Sequence, residues 1–223
     1  MRIARVSLGA AARGMTQQDD VASPPSGESA QRNAPAAGRV YLRAPARADR
    51  AEFISLMRAS RPFHRPWATA PTDDEAFDAY LVDSRRPDFE AMLVCRREDR
   101  AILGFFNLSQ ITRRSLQSAY LGYAVGKPFA HQGYMREGID LVLRRAFMTL
   151  RLHRVEANIQ PGNRASIALA EGAGFRREGF SPRYLKIGGR WRDHERWAIL
   201  VEDWRTRQDG TRSLEGAGVD LAP

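Results

Sequence analysis

The hydrophobic period of the chain changes twice in its middle third, and this feature constrains the fold most. Residues 118–125 have the composition of a strand, and apolar residues then recur at helical spacing over about 135–152. Residues 153–160 alternate again, with Val155 and Ile159 on one face. A strand, an amphipathic helix and a second strand in this order predict a crossover within one sheet.

Two helices are predicted near the beginning of the folded part. The first covers residues 49–57 and breaks near Pro62, because proline interrupts a helix. The second begins at Thr72, whose hydroxyl suits an N-cap, and ends at about Ser84. The three acids at 73–75 suit the positive end of this helix.

Further strand-like runs complete the predicted sheet. They lie at residues 40–42, 91–95, 101–109, 184–187 and 191–201. Short polar turns before residue 118 predict an antiparallel meander, and Gly188-Gly189 predicts a hairpin. Between the meander and the hairpin, a helix starts at Asn163 and ends at 172–174. We therefore predict an α/β (α+β) fold with a mixed sheet.

The two ends of the chain differ in composition from its centre. Residues 1–38 are rich in Ala, Gly, Ser, Pro and Gln and predict a disordered leader, and residues 206–223 predict a flexible tail. This leaves a domain over residues 39–205. The first residues lack an apolar stretch adequate for a signal peptide, and no apolar run approaches the ~20 residues that span a bilayer. We expect a cytoplasmic protein without a membrane partner.

The side-chain inventory argues against disulfides and metals. Cys95 is the only cysteine, and the four histidines show no metal-ligand spacing. The formal net charge of +9 favours an anionic partner such as a nucleotide cofactor or ribosomal RNA. Near the predicted hairpin, Arg183, Arg190 and Arg192 alternate with aromatic residues. This pattern is typical of a solvated edge or of a surface for an acidic protein or RNA.

A glycine-containing loop connects the strand at 118–125 to the following helix. Gly126 and Gly133 let the main chain approach a ligand closely, and the free N–H groups at the helix start favour anionic oxygens. This arrangement suits a pyrophosphate, and an ordinary strand-to-helix turn would contain the same residue types.

Residues 120–200 resemble the C-terminal two thirds of an acetyltransferase domain of the GNAT superfamily. The family motif Q/R-x-x-G-x-G/A is matched here at Ala130, His131, Gln132, Gly133, Tyr134 and Met135. The central glycine matches, whereas Ala130 and Met135 depart from the motif. The resemblance implies a GNAT-like mixed, mostly antiparallel central sheet flanked by helices, with acetyl-CoA as cosubstrate and no metal.

A second block and a hairpin extend this resemblance. The sequence NRAS at 163–166, with GF at 174–175, is similar to the N-x-x-S…GF block that follows the family's fifth strand. The hairpin at 184–194 resembles the RimJ/RimL type of ribosomal-protein-alanine acetyltransferase. The sequence PFHRPW at 62–67 lies where that type has a substrate-side loop ending in Pro-Trp, and it is equally typical of a structural turn anchored by Trp67. The resemblance implies acetyl transfer to the N-terminal alanine of a ribosomal protein.

The resemblance also implies site residues. Main-chain groups of the fourth strand would hold the thioester and pantetheine, and the loop would hold the pyrophosphate. The implied cofactor contacts are Tyr123, Ala124, Val125, His131, Gln132, Gly133, Tyr134, Met135, Asn163 and Ser166. The implied catalytic residues are Glu137, Ser166 and Tyr184, with Glu156 as an alternative base. As structural alternatives, Glu137 complements a helix dipole and Asn163 caps a helix.

Two other functions remain open from the sequence. Acetylation of a small cationic amine such as an aminoglycoside would favour an acidic pocket, and residues 73–75 are the obvious source. A non-catalytic ribosome-assembly binder could keep the fold without turnover, as the departures at Ala130 and Met135 would allow.

Overall fold

The computed structural model describes residues 38–216, with side chains to residue 209, and its centre is a seven-stranded sheet. The strands are β1 Val40–Arg43, β2 Phe89–Arg96, β3 Ile102–Thr112, β4 Ser118–Val125, β5 Arg154–Ile159, β6 Arg176–Ile187 and β7 Arg190–Leu200. The helices are α1 Arg50–His64, α2 Asp74–Asp83, α3 Tyr134–Arg144, α4 Arg164–Ala173 and α5 Val201–Gly216. Apart from Gly38, the predicted leader lies outside the described residues.

The sheet is mixed and mostly antiparallel, so the predicted fold class is confirmed. Its strand order is β1-β2-β3-β4-β5-β7-β6, and among the described strands only β4 and β5 form a parallel pair. The chain passes from β4 to β5 through α3, which is the predicted crossover. β2, β3 and β4 form the predicted meander, and β6 and β7 form the predicted hairpin around Gly188 and Gly189.

Helices pack on both faces of the sheet, because successive residues of a strand point to opposite sides. On one face, Phe106 of β3 shares a core with Leu143 of α3. On the other face, the preceding residue Phe105 shares a core with Phe53 of α1 and Phe77 of α2. Burying each such side chain contributes about 1.5–3 kcal/mol. The two cores therefore hold α1 and α3 firmly against opposite sides of the sheet on which the candidate site is built.

Two helix boundaries differ from the prediction. α1 continues through Pro62 as far as His64. Because Pro62 lies in the last turn, its missing N–H removes one helical hydrogen bond without ending the helix earlier. The cap of α2 is Asp73 rather than Thr72, since Asp73 Oδ1 accepts a hydrogen bond from the Ala76 N–H at 2.9 Å.

The C-terminal region is more regular than the sequence indicates. β6 begins well before residue 184, and α5 continues to Gly216, past the predicted domain end at 205. The ring of Trp204 lies 5.5 Å from that of Phe147, so α5 is held on the core. The predicted flexible tail is therefore helical as far as Gly216, and residues 217–223 lie outside the described part. Within residues 38–216, no helix has the length and apolar character needed to cross a membrane.

Candidate functional site

The parallel strands β4 and β5 diverge along their length. Pairing joins Ser118 to Arg154, Ala119 to Val155 and Tyr120 to Glu156, whereas β4 continues to Val125 and β5 to Ile159. Beyond the last pair, the facing edges of the two strands lie open. Because main-chain N–H and C=O groups need partners, such an opening suits an extended ligand that lies between the strands.

A cavity of about 380 Å³ lies beside the end of β4. Its lining residues come from α1 and the loop after it, β4, the loop before α3, and the first turns of α3 and α4. They include Phe63, His64, Trp67, Tyr123, Ala124, Val125, Phe129, Ala130, His131, Gly133, Tyr134, Met135, Arg136, Asn163, Ser166 and Leu169. The lining is largely apolar and aromatic, with a few polar groups, as is usual for small-molecule sites. We call this space the apolar cavity.

The loop before α3 brings main-chain groups to one wall of the apolar cavity. Gly133 has φ +82°, in the left-handed region that favours glycine, and α3 begins at the next residue. The first N–H groups of a helix have no intrahelical acceptor, and the helix dipole adds positive potential there. Arg136, in the first turn, adds a full positive charge to the same wall. The arrangement suits a phosphate group.

Arg39 supports this loop from behind. Its Nε atom donates to Glu137 Oε1 at 2.6 Å, and its Nη2 atom donates to the Gln132 carbonyl at 3.0 Å. Its main-chain N–H donates to Glu137 Oε2 at 2.8 Å, and its guanidinium lies 4.7 Å from the ring centroid of Tyr134. Arg39 therefore ties the segment before β1 to both the loop and α3.

Glu137 and Gln132 do not line the apolar cavity, although the sequence analysis places both in the site. The carboxylate of Glu137 is occupied by Arg39, so its contacts are those of a structural ion pair. The side-chain amide of Gln132 donates to the Pro128 carbonyl at 2.7 Å. The other predicted cofactor contacts are brought together in the lining.

Helix α4 supplies the opposite wall through Asn163 and Ser166. Asn163 Oδ1 accepts a hydrogen bond from the Ser166 N–H at 3.2 Å, which is the cap expected from the sequence. The Tyr123 hydroxyl donates to the Ser166 carbonyl at 3.1 Å, and burial raises the pKa of this phenol to about 12. The Ser166 hydroxyl lies beside this phenol, and a hydrogen bond between the two side chains partly offsets the rise in the pKa of Tyr123.

Tyr184 and Glu156 lie near the point where β4 and β5 separate, rather than in the lining of the apolar cavity. The Tyr184 hydroxyl is 3.5 Å from that of Tyr120, which forms the last strand pair with Glu156. The hydrogen bond with Tyr184, together with burial, raises the pKa of Tyr120 to about 12. Glu156 Oε1 accepts a hydrogen bond from Arg154 Nε at 2.8 Å.

A second cavity, of about 580 Å³, adjoins the apolar cavity and shares His64 and Ala68 with it. Four arginines line it: Arg61, Arg65, Arg190 and Arg192. We call it the basic cavity. Asp73 is the one carboxylate among its described lining residues, and its Oδ1 atom already caps α2. His64 fixes the wall between the two cavities, because its Nε2 atom donates to the Val125 carbonyl at 2.8 Å.

Several lining residues were missed by sequence reasoning. The sequence does contain a signal for Arg136 as a ligand-binding residue. A cation in the first turn of a helix opposes the helix dipole, and it is favourable there mainly beside an anion. His64 and Arg65 lie in the segment 62–67 that the sequence analysis compares with the RimJ/RimL type, although their place in the lining depends on α1 continuing past Pro62. Within residues 38–209, no group of three or more His, Cys, Asp or Glu side chains is placed to hold a metal ion.

The family model for the acetyltransferase (GNAT) domain matches residues 39–176. The protein named probable N-acetyltransferase YjcK, of Bacillus subtilis (strain 168), is 32% identical over 74% of this chain and 95% of its own length. The [ribosomal protein uS5]-alanine N-acetyltransferase of Escherichia coli (strain K12) is 36% identical over 48% of this chain. That match spans 55% of the Escherichia coli protein, or about half its length.

Two further similarities bear on ligands. A solved structure of Mycobacterium smegmatis RimJ in complex with CoA-disulfide superposes with a TM-score of 0.69 at 26% identity, covering 77% of this chain and 88% of that one. The spermidine N(1)-acetyltransferase of Vibrio cholerae is 24% identical over 77% of this chain and 98% of its own length. Relatives of this chain thus carry names with chemically different acceptors.

Proposed function

We propose, given that the chain belongs to the acetyltransferase (GNAT) family and is an acetyl-CoA-dependent N-acetyltransferase, that its acceptor is the N-terminal amine of a protein. The specific proposal is the N-terminal alanine of a ribosomal protein. Such an acceptor would place the reaction in the cytoplasm. The observation that carries the proposal is the lining of the two cavities. The apolar cavity suits the acetyl donor, and the basic cavity beside it, where the acceptor would lie, has the capping residue Asp73 as the one carboxylate among its described lining residues.

The apolar cavity fits acetyl-CoA. The N–H groups at the start of α3 and the Arg136 guanidinium would hold the pyrophosphate, and the apolar lining and the open edge of β4 would hold pantetheine. When bound, acetyl-CoA supplies an acetyl thioester. Main-chain N–H groups at the end of β4 would stabilise negative charge on the thioester oxygen, as preorganised donors do. We assign the hydroxyl of Ser166, which lines the apolar cavity, to proton delivery to the leaving sulfur, with replacement of that proton from water.

The acceptor side suits an amine that is readily neutral. An α-amino group has a pKa of about 7.7–8.0, against about 10.4 for a lysine side chain. A large fraction of N-terminal amines therefore has a free lone pair near pH 8 and needs no strong base. Asp73 is the single carboxylate among the described residues that line either cavity, and it is engaged as a helix cap. This favours an α-amine over amines that stay cationic.

The names of two relatives agree with this acceptor, since one acetylates an alanine of ribosomal protein uS5 and another is RimJ. Spermidine, the acceptor in the name of a third relative, is a polycation. Four arginines in the basic cavity would repel a polycation, as they would an aminoglycoside. The charge of the acceptor side therefore ranks a protein N-terminus above a polyamine.

A matched acceptor panel tests the proposal. Purified protein is given acetyl-CoA and either an Ala-starting peptide, the same peptide blocked at its N-terminus but containing lysine, spermidine, or an aminoglycoside. We expect transfer to the free peptide, with mass spectrometry placing the acetyl group on the α-amine. Equal transfer to the blocked peptide, or efficient acetylation of spermidine or the aminoglycoside without peptide activity, would contradict the proposal.

A further inference from the structure

The basic cavity concentrates positive charge that the fold does not neutralise. Arg61 lies in the last turn of α1 and Arg65 directly follows that helix, whereas Arg190 and Arg192 lie on β7. Within residues 38–209, none of the four guanidinium groups forms an ion pair with a carboxylate. Two segments that are far apart in the sequence thus bring four unpaired cations to one cavity.

Arg192 gives the sharpest indication of what fills this cavity. The residue is half-buried, and its Nε atom is buried without a hydrogen-bond partner in the described part of the chain. A buried donor on a charged group is costly to leave unpaired. The Nε and Nη2 atoms of arginine together form a fork that matches the two oxygens of a carboxylate. Because the Nε atom is buried, Arg192 offers a ligand in the basic cavity its outer Nη1 and Nη2 atoms, whose paired donors also suit the two oxygens of a carboxylate.

We propose that the basic cavity binds acidic side chains of the acceptor, so that the enzyme selects protein N-termini with Asp or Glu shortly after the first residue. This inference rests on the proposed acetylation of a protein N-terminus. In it, the apolar cavity holds the acetyl donor, and Arg61, Arg65, Arg190 and Arg192 determine which N-terminal sequences are accepted.

The connection between the cavities limits where the carboxylate lies in the acceptor. The amine must reach the thioester in the apolar cavity, and His64 and Ala68 border both spaces. An extended chain advances about 3.3–3.6 Å per residue, so the residues just after the reactive amine enter the adjoining cavity. The occupant of the basic cavity is then part of the same molecule as the reactive amine. This favours an acidic peptide over an RNA as the occupant.

Two peptides of equal length test the inference. Both start with Ala, and one carries Asp and Glu at positions 2 to 4 where the other carries Asn and Gln. For the unchanged protein we expect a KM for the acidic peptide that is lower by roughly tenfold or more, the usual effect of hydrogen bonds to charged groups. Because the attraction is electrostatic, added salt should raise the KM for the acidic peptide and leave the KM for the amide peptide nearly constant.

Substitutions then locate the effect. Arg192→Gln should bring the two KM values together by weakening the acidic peptide. Lys186→Gln removes one positive charge from the same hairpin at an exposed residue that does not line the basic cavity, and it should keep the preference. Calorimetric titration with acetyl-CoA confirms that Arg192→Gln is folded, and the salt series on the unchanged protein tests the inference independently of any variant.

The outcomes separate the two proposals. Equal KM values for both peptides in the unchanged protein, at every salt concentration, would overturn the inference and leave N-terminal acetylation standing. Transfer to spermidine with none to either peptide would overturn the proposed function itself. An RNA oligonucleotide that inhibits the unchanged protein but not Arg192→Gln, with no effect of peptide charge, would assign the cavity to nucleic acid and contradict the inference.

Discussion

The apolar and basic cavities meet at His64 but are built from different parts of the chain. The apolar cavity uses main-chain groups, the beginning of α3, and apolar side chains along β4 and α4. The basic cavity uses long cationic side chains on α1, the loop after it, and β7. A site built from main chain tolerates changes of side chain, whereas a site built from side chains changes its specificity with each substitution. We therefore expect the apolar cavity to tolerate side-chain changes that would alter the specificity of the basic cavity.

The departures from the family motif illustrate this tolerance. Ala130 and Met135 both line the apolar cavity, and Met135 packs partly buried against the core beneath it. Neither change removes a main-chain N–H group or the left-handed conformation at Gly133. The loop therefore keeps the geometry that we propose binds phosphate, although two of its motif positions differ.

Substitution of Gly133 should have the largest effect on the apolar cavity. Gly133→Asp adds a negative charge to the loop that would hold the phosphate and competes for Arg39, which supports that loop, so acetyl-CoA affinity should fall by roughly 10-fold or more. Gly133→Asn is the matched control, because asparagine has the same shape, tolerates left-handed φ and carries no charge. Calorimetric dissociation constants for acetyl-CoA measure both.

The Asn variant should weaken binding less than the Asp variant, since its added Cβ atom lies 3.0 Å from Arg39 Nη2 and displaces only that contact. Equal affinities for both variants and the unchanged protein would show that no phosphate binds at this loop.

Loss of the support behind the loop should have a smaller effect. Arg39→Gln removes the ion pair with Glu137 and the hydrogen bond to the Gln132 carbonyl, and we expect acetyl-CoA to bind about 3- to 10-fold more weakly, as for one or two ordinary hydrogen bonds. Glu137→Gln should also weaken acetyl-CoA binding. Because both substitutions remove the same ion pair, the double variant should lose less binding free energy than the two single losses added together. A loss of kcat in Glu137→Gln with unchanged acetyl-CoA affinity would instead support a catalytic role for Glu137.

Shortening the chain should have the smallest effect. A protein that starts at Gly38 should match the full chain in kcat and in KM for acetyl-CoA, because the composition of the leader lacks the apolar residues that offset ordering. A protein that starts at Val40 also loses Arg39 and should reproduce the Arg39→Gln phenotype. A defect in the first truncation as large as in the second would assign a role to the leader.

The sequence predicted the fold and the apolar cavity better than the basic cavity. The strand–helix–strand unit, Gly133 and the Asn163 cap carry local signals, since periodicity, glycine and capping act over a few neighbouring residues. The role of Arg39 depends on tertiary contacts 93 and 98 residues away in the chain, which no local pattern records. The basic cavity likewise depends on α1 passing Pro62 and on the placement of β7 across the sheet. The sequence also does not reveal that Arg39 is the partner of Glu137, an ion pair that favours a structural role over the predicted catalytic one.

The most direct test of this division is the titration of acetyl-CoA into Arg192→Gln and Gly133→Asp side by side. We expect Arg192→Gln to bind acetyl-CoA as the unchanged protein does, and Gly133→Asp to bind it much more weakly. Equal loss of affinity in both variants would contradict this division, because the two cavities would then form a single site rather than separate donor and acceptor sites.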